Sequence, residues 1–147
     1  MKKLLFAIGA ALLLVSCGDS LTQDPDPADA FVGRYTYTDN YFVTWGSDSR
    51  SLSTDGAFML TKLSKNQVKM SGAWTSIGEV VGNTVTFADD MQSDDSGYIT
   101  YKFGVGTLTG GTLNFNYSGS GSLKYTNGVA YPWTCSGRVV ATNIDYK

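Results

Sequence analysis

The sequence predicts an all-β domain, an antiparallel up-and-down meander of about eight strands. Apolar and polar residues alternate with a period of two, for example over residues 98–103 and 112–117. This pattern, rich in aromatic and β-branched residues, is typical of half-buried strands. Turn dipeptides separate the alternating segments, most clearly Asn127-Gly128. No window of ten residues after Cys17 has the helical period of 3.6.

The turn signals divide the domain into a series of short strands. The predicted strands lie near residues 32–38, 41–47, 57–63, 66–71, 84–88, 98–106, 111–118 and 129–142. The turns expected between strands are Asp39-Asn40, Asp55-Gly56, Gly82-Asn83, Gly110-Gly111 and Asn127-Gly128, and the longest loop is residues 88–97. Eight antiparallel strands with short connections can close into a barrel without exposed edges. A two-sheet β-sandwich is the alternative.

The first and last strands resemble those of lipocalin-like, or calycin, barrels. Phe31-Val32-Gly33-Arg34-Tyr35 opens the first strand, and Arg138 lies in the last. In that family a Gly-x-Trp begins the first strand, and an arginine of the last strand packs over the Trp. Tyr35 stands here in place of the Trp. The resemblance implies a small barrel closed by a Tyr35–Arg138 contact worth about 0.5–2 kcal/mol.

The first sixteen residues resemble the signal peptide of bacterial lipoproteins. Lys2 and Lys3 are followed by an apolar run over residues 4–15, which is shorter than the roughly 20 residues of a membrane span. The run ends in Leu14-Val15-Ser16-Cys17, which is similar to a lipobox. The resemblance implies cleavage before Cys17 and lipidation of its thiol and amine, which together anchor a chain stably in a membrane.

Residues 17–30 are expected to be a lipidated cysteine followed by an acidic, disordered tether, and residues 31–147 a single domain. The tether contains four Asp and two Pro, and Leu21 is its only large apolar residue, so it cannot bury enough surface to fold. Gly18 after Cys17 is compatible with sorting to the outer membrane of a Gram-negative bacterium. The domain would then face the periplasm or the cell surface.

Composition argues against several classes of function. Once Lys2 and Lys3 leave with the signal peptide, nine basic residues remain against thirteen acidic ones, and no basic stripe marks a nucleic-acid partner. Histidine is absent and Glu79 is the only glutamate, so the commonest general base and metal ligand is missing. We therefore expect no enzyme, no metal site and no cofactor. Cys135 has no partner once Cys17 is lipidated, and its alternating surroundings predict burial.

The residues predicted to face inward are unusually aromatic. The candidate ligand-cavity residues are Tyr35, Tyr37, Trp45, Phe58, Tyr101, Phe103, Phe115, Tyr117 and Trp133. The inward set also includes Tyr41, Trp74, Phe87, Tyr125 and Tyr131. A hollow interior would make the domain a binding module for a small apolar molecule, a lipid or a sugar. Rings that fill the barrel would instead indicate a protein-interaction or inhibitor lipoprotein that binds an extracytoplasmic protein.

Overall fold

The computed structural model describes residues 25–124 and 128–147, which form a curved antiparallel sheet of ten strands. The strands are β1 Gly33–Trp45, β2 Asp48–Ser64, β3 Gln67–Gly72, β4 Ser76–Val81, β5 Thr84–Phe87, β6 Asp90–Asp94, β7 Gly97–Phe103, β8 Val105–Thr109, β9 Thr112–Lys124 and β10 Ala130–Asn143. A short 3₁₀ helix, Pro27–Phe31, precedes them. No helix in the described ranges is long and apolar enough to cross a membrane.

Hydrogen bonding closes the sheet into a ring. β10 pairs with β9 on one side and with β1 on the other, so the order runs β10-β1-β2-β3-β4-β5-β8-β9 and returns to β10. This confirms the predicted all-β antiparallel meander, and the ring of hydrogen bonds agrees with the barrel rather than with the sandwich. The core lies inside the ring, where alternate residues of each strand are buried.

Two positions of the ring are each filled by two short strands in series. β7 and β8 both pair with β9 and meet at Gly104, whose N–H donates to the carbonyl oxygen of Asn116 at 2.7 Å. β6 follows β5 after a short break and pairs only with β7. The ring therefore has eight strand positions, the number that the sequence predicts.

Two predicted turns are confirmed. Gly82 has a φ of 59°, and Gly110 and Gly111 have φ values of 53° and 76°, a region that glycine adopts without steric cost. Gly128 has a φ of 77° between β9 and β10, where the Asn127-Gly128 turn was predicted. Asn127 itself lies outside the described residues.

Other predicted boundaries are wrong. Asp39-Asn40 lies within β1 and Asp55-Gly56 within β2, so each pair belongs to one continuous strand. Gly56 serves packing rather than turning, because a Cβ there would overlap the ring of Tyr37. The predicted loop 88–97 contains β6, and β4 was not predicted. Splitting β1 into two strands added one position to the predicted barrel, and missing β4 removed one, so the number of ring positions still agrees.

The 3₁₀ helix covers one end of the barrel. Ala28 and Phe31 are fully buried, and the Phe31 carbonyl oxygen accepts a hydrogen bond of 2.9 Å from the Tyr35 hydroxyl. Lys62 forms ion pairs with Asp26 at 2.7 Å and Asp29 at 2.8 Å. Ordered structure thus begins before Phe31, and the predicted disordered tether is wrong over its last residues. The signal peptide and Cys17 lie outside the described residues.

The predicted contact between Tyr35 and Arg138 is wrong. Tyr35 lies opposite Asn143, is fully buried and stacks on Phe58 with ring centroids 5.1 Å apart. Arg138 lies opposite Asn40, five positions along β10, which is about 17 Å. Arg138 also faces outward, because its side chain has the parity of the exposed residues of β10. The Arg138 side chain therefore does not pack over Tyr35, and the predicted barrel-closing pair is absent.

The barrel wall is incomplete at the end away from the 3₁₀ helix. β2 pairs with β3 only from Phe58 onward, so among the described residues its positions 48–56 have β1 on one side and no strand on the other. β6 likewise has a single neighbour. β3 and β4 lie between β2 and β5 nearer the helix, but they are only six residues long. We call the gap between residues 48–56 and β6 the notch. The half of the barrel next to the 3₁₀ helix is the closed half, and the half that contains the notch is the open half.

Candidate ligand-binding site

The closed half of the barrel is filled by aromatic side chains. Trp74, from the loop between β3 and β4, is only 6% exposed. Its ring centroid lies 5.4 Å from that of Tyr37, 5.6 Å from Tyr117 and 6.0 Å from Phe115. The predicted cavity residues in this packed cluster are Tyr35, Tyr37, Phe58, Phe103, Phe115 and Tyr117. These six residues therefore form core, and Trp74 separates that core from the open half.

Glycines on the inner wall make room for these rings. A Cβ on Gly137 would lie 2.5 Å from Cε1 of Tyr117, and a Cβ on Gly119 would lie 2.8 Å from Sγ of Cys135. Non-bonded Cβ atoms do not approach other heavy atoms this closely, so these side chains lie directly over the bare backbone of the glycines. Matching large side chains on one strand to glycine on the next lets a small barrel hold so many rings.

Asp39 is a buried carboxyl group in this interior that sequence analysis assigned to a turn. It is 3% exposed, and its Oδ2 accepts a hydrogen bond of 2.6 Å from the Tyr117 hydroxyl. Its Oδ1 is buried and has no hydrogen-bond partner among the described residues. Burial raises the pKa of the Asp39 carboxyl, and burial with the neighbouring Asp39 raises the pKa of Tyr117. A buried polar atom without a partner is costly.

Cys135 is a buried free thiol, as the sequence predicts. Burial raises its pKa to about 11, so the thiol stays protonated at neutral pH. The thiolate is the reactive form of cysteine. Cys135 is therefore a packing residue on the inner wall and offers no nucleophile.

The open half holds an aromatic pocket at the rim of the barrel, which we call the mouth pocket. It has a volume of about 320 Å³ and is lined by Trp45, Leu123, Lys124, Tyr131 and Trp133. Trp45 pairs with Trp133 across β1 and β10, and Leu123 pairs with Tyr131 across β9 and β10. These cross-strand pairs put four apolar side chains on one inner surface.

Two further residues extend this surface. The guanidinium carbon of Arg50 lies 5.5 Å from the ring centroid of Trp45, within the range of a cation–π contact. The Trp133 ring lies 6.3 Å from that of Tyr101, which in turn lies 6.5 Å from Trp74. Half-buried rings thus lead from the rim down to the packed core.

The structure divides the single predicted cavity into two regions. Of the nine predicted cavity residues, only Trp45 and Trp133 line the mouth pocket. Tyr101 lies between the mouth pocket and the core, and the remaining six residues are in the core. The described residues include no group of three or more side chains that could hold a metal ion. No protein-family model matches this chain, and no curated protein sequence matches it.

Proposed function

We propose that this protein is a membrane-anchored, non-catalytic binding module whose mouth pocket holds a small apolar molecule with an acidic group. The mouth pocket is the single observation that carries the proposal. Its volume of about 320 Å³ is near the lower end of the range for small-molecule sites, roughly 300–1,000 Å³. Three aromatic side chains and one leucine among five lining residues provide the apolar surface that such sites use.

The acidic group is assigned from the charges at the rim. Lys124 lines the mouth pocket, and Arg50 lies over the outer ring, Trp45. Both groups are exposed, so each contributes modestly and is screened by salt. A ligand with an apolar tail and a carboxylate or phosphate would place its tail against the aromatic rings and its acidic group beside Lys124.

The polarity of the barrel supports an anchored, outward-facing module. β1 begins beside the 3₁₀ helix and reaches the mouth pocket at the end of its thirteen residues, a length of about 40 Å. Pro25, the first described residue, lies next to the 3₁₀ helix, at the end of the barrel away from the mouth pocket. If Cys17 is lipidated in an outer membrane, the mouth pocket opens away from that membrane, toward the periplasm or the medium.

Decanoate is a suitable probe, because it joins an unbranched alkyl tail to one carboxylate. We expect saturable quenching of tryptophan fluorescence in the full chain, at least tenfold weaker affinity in Trp133→Ala, and unchanged affinity in Phe42→Ala. Phe42 is a matched aromatic control, because it is 47% exposed on the outer wall. Decanol should bind more weakly than decanoate, and Lys124→Ala should remove that difference.

Native mass spectrometry of the chain purified from its own host provides the second arm of the test. A co-purifying molecule that is retained by Phe42→Ala and lost from Trp133→Ala would identify the natural ligand. Absence of decanoate binding together with absence of any co-purifying mass would exclude the proposal.

A further inference from the structure

The two sides of the notch are unpaired strand edges. Over residues 48–56, β2 is hydrogen-bonded only to β1 within residues 25–124 and 128–147, and its side chains are exposed up to Asp55. These nine positions span about 30 Å. In the closed half two strands separate β2 from β5, and β6 continues from β5. The notch is therefore about two strand positions wide, which leaves room for another strand beside β2.

We propose that the free edge of β2 binds an extended segment of a partner protein as an added β-strand, with a Lys or Arg of that segment directed to Asp39. An unpaired edge exposes a row of N–H and C=O groups that template such pairing. This site is separate from the mouth pocket and does not depend on it.

The inner surface beside the free edge of β2 favours a Lys or Arg in the partner segment. Asp39 on β1 lies opposite Thr54 on β2, so the two side chains share the inner face. Thr54 is small and exposed, whereas Asp39 is buried and has one oxygen with no hydrogen-bond partner in the described part of the chain. A strand added beside Thr54 lies two strand spacings, about 10 Å, from β1. An extended Lys or Arg side chain passing over Thr54, together with the Asp39 side chain that points toward it, spans that distance.

The next inward position favours an apolar residue in the partner. Leu52 lies opposite Tyr41 and is 41% exposed, although its side chain belongs to the inner face. An apolar side chain two residues along the added strand from the Lys or Arg would cover it. The partner segment therefore alternates, with inward residues basic and apolar and with outward residues unrestricted.

Charge around the notch agrees with a basic partner. Asp48 and Asp55 lie at the two ends of the free edge of β2, and both are exposed. Asp94 ends β6 on the opposite side and is also exposed. Arg50 is the one basic residue between Asp48 and Asp55, and it lies over Trp45 at the rim.

A second copy of this chain fits the edge less well than another protein does. Two β2 edges that pair antiparallel would point their closed ends in opposite directions, because β2 runs from the rim to the closed half. Copies anchored in one membrane through the same end could not meet in that way. In such a pair the only cation available to Asp39 would be Arg50, which already lies over Trp45.

The test is selection of nine-residue peptides from a random displayed library on the purified full chain. We expect enriched peptides to carry Lys or Arg at one central position and an apolar residue two positions along from it. N-methylation of alternate amides along one edge of a selected peptide should weaken binding at least tenfold, and N-methylation along its other edge less than twofold. Only one edge of an added strand pairs with β2.

Asp39 is tested through the peptide and through the protein. Replacing the central Lys with norleucine should weaken binding at least fivefold to the native chain and less than twofold to Asp39→Asn. Thr54→Lys, at an exposed position, should cancel the same preference without disturbing the core. Trp133→Ala should leave peptide binding unchanged, which separates this site from the mouth pocket.

Several results would overturn the proposal. They are failure to enrich any peptide, equal effects of the two N-methylation patterns, and a Lys preference that persists in both Asp39→Asn and Thr54→Lys. Concentration-dependent self-association that is lost in Leu52→Lys would assign the edge to a second copy instead.

Discussion

Trp74 should be the most costly side chain to remove from this barrel. It is 6% exposed, and it contacts the rings of five residues with centroids 5.4–6.5 Å apart: Tyr37, Tyr101, Phe103, Phe115 and Tyr117. Truncation of a buried Trp to Ala typically costs about 3–5 kcal/mol, because the neighbours close the resulting cavity only in part. Since a domain of this size has a total stability of about 5–15 kcal/mol, Trp74→Ala should lose a large share of it.

Chemical denaturation of the full chain, followed by far-UV circular dichroism, measures this loss. Trp74→Phe keeps one ring and should lose about 1–2 kcal/mol. Phe42→Ala, on the outer wall, is the control and should lose less than about 1 kcal/mol. The midpoint of thermal unfolding should fall by about 10–25 °C in Trp74→Ala. If Trp74→Ala loses no more free energy of unfolding than Phe42→Ala does, Trp74 is not packed in a filled core.

Three further predictions concern the inner wall and the anchor. Gly137→Ala should lower the free energy of unfolding by about 1–3 kcal/mol, because the new Cβ would displace the Tyr117 ring. Ser136→Ala, at the exposed neighbouring position, is the control and should cause no measurable loss. Equal losses in the two variants would contradict this prediction. Burial raises the pKa of the Asp39 carboxyl, so this group binds a proton more tightly in the folded chain than in the unfolded chain. The resulting stabilisation is complete below the ordinary pKa of 3.8 and is lost as the pH rises through the raised pKa. Asp39→Asn should remove that decline in urea titrations across pH, and parallel curves for the two proteins would count against it. Cys17→Ala should abolish metabolic labelling by a fatty-acid probe, and an unlabelled native chain would exclude the lipid anchor.

The sequence was sufficient for the fold class because local alternation determines which residues of a strand face the core. The segments around residues 98–103 and 112–117 alternate clearly and are strands β7 and β9. β4 was missed because Ser76 and Gly78 occupy inward positions while Ile77 and Val81 are exposed, so the strand lacks the expected alternation. In that strand Gly78 is buried and leaves room for Phe87, a role that only the neighbouring strand reveals.

The candidate site was less predictable because long-range contacts define it. Asp is a residue type common in turns, yet Asp39 accepts a hydrogen bond from Tyr117, seventy-eight positions away in the sequence. Gly56 and Gly137 are likewise packing glycines within strands, and their sequence cannot be distinguished from that of turn glycines. Aromatic content correctly marked the interior, but the division into a filled half and an open half depends on the lengths of β3 and β4.

The division between a filled closed half and an accessible mouth pocket is the central claim, and the three tryptophans test it directly. Trp45 and Trp133 line the mouth pocket, whereas Trp74 lies in the packed core. A soluble paramagnetic agent added to the ¹⁵N-labelled full chain should broaden the indole N–H signals of Trp45 and Trp133 and leave that of Trp74 sharp. Single Trp→Phe variants assign the three signals. Equal broadening of all three would show that solvent reaches the interior and would contradict the filled closed half.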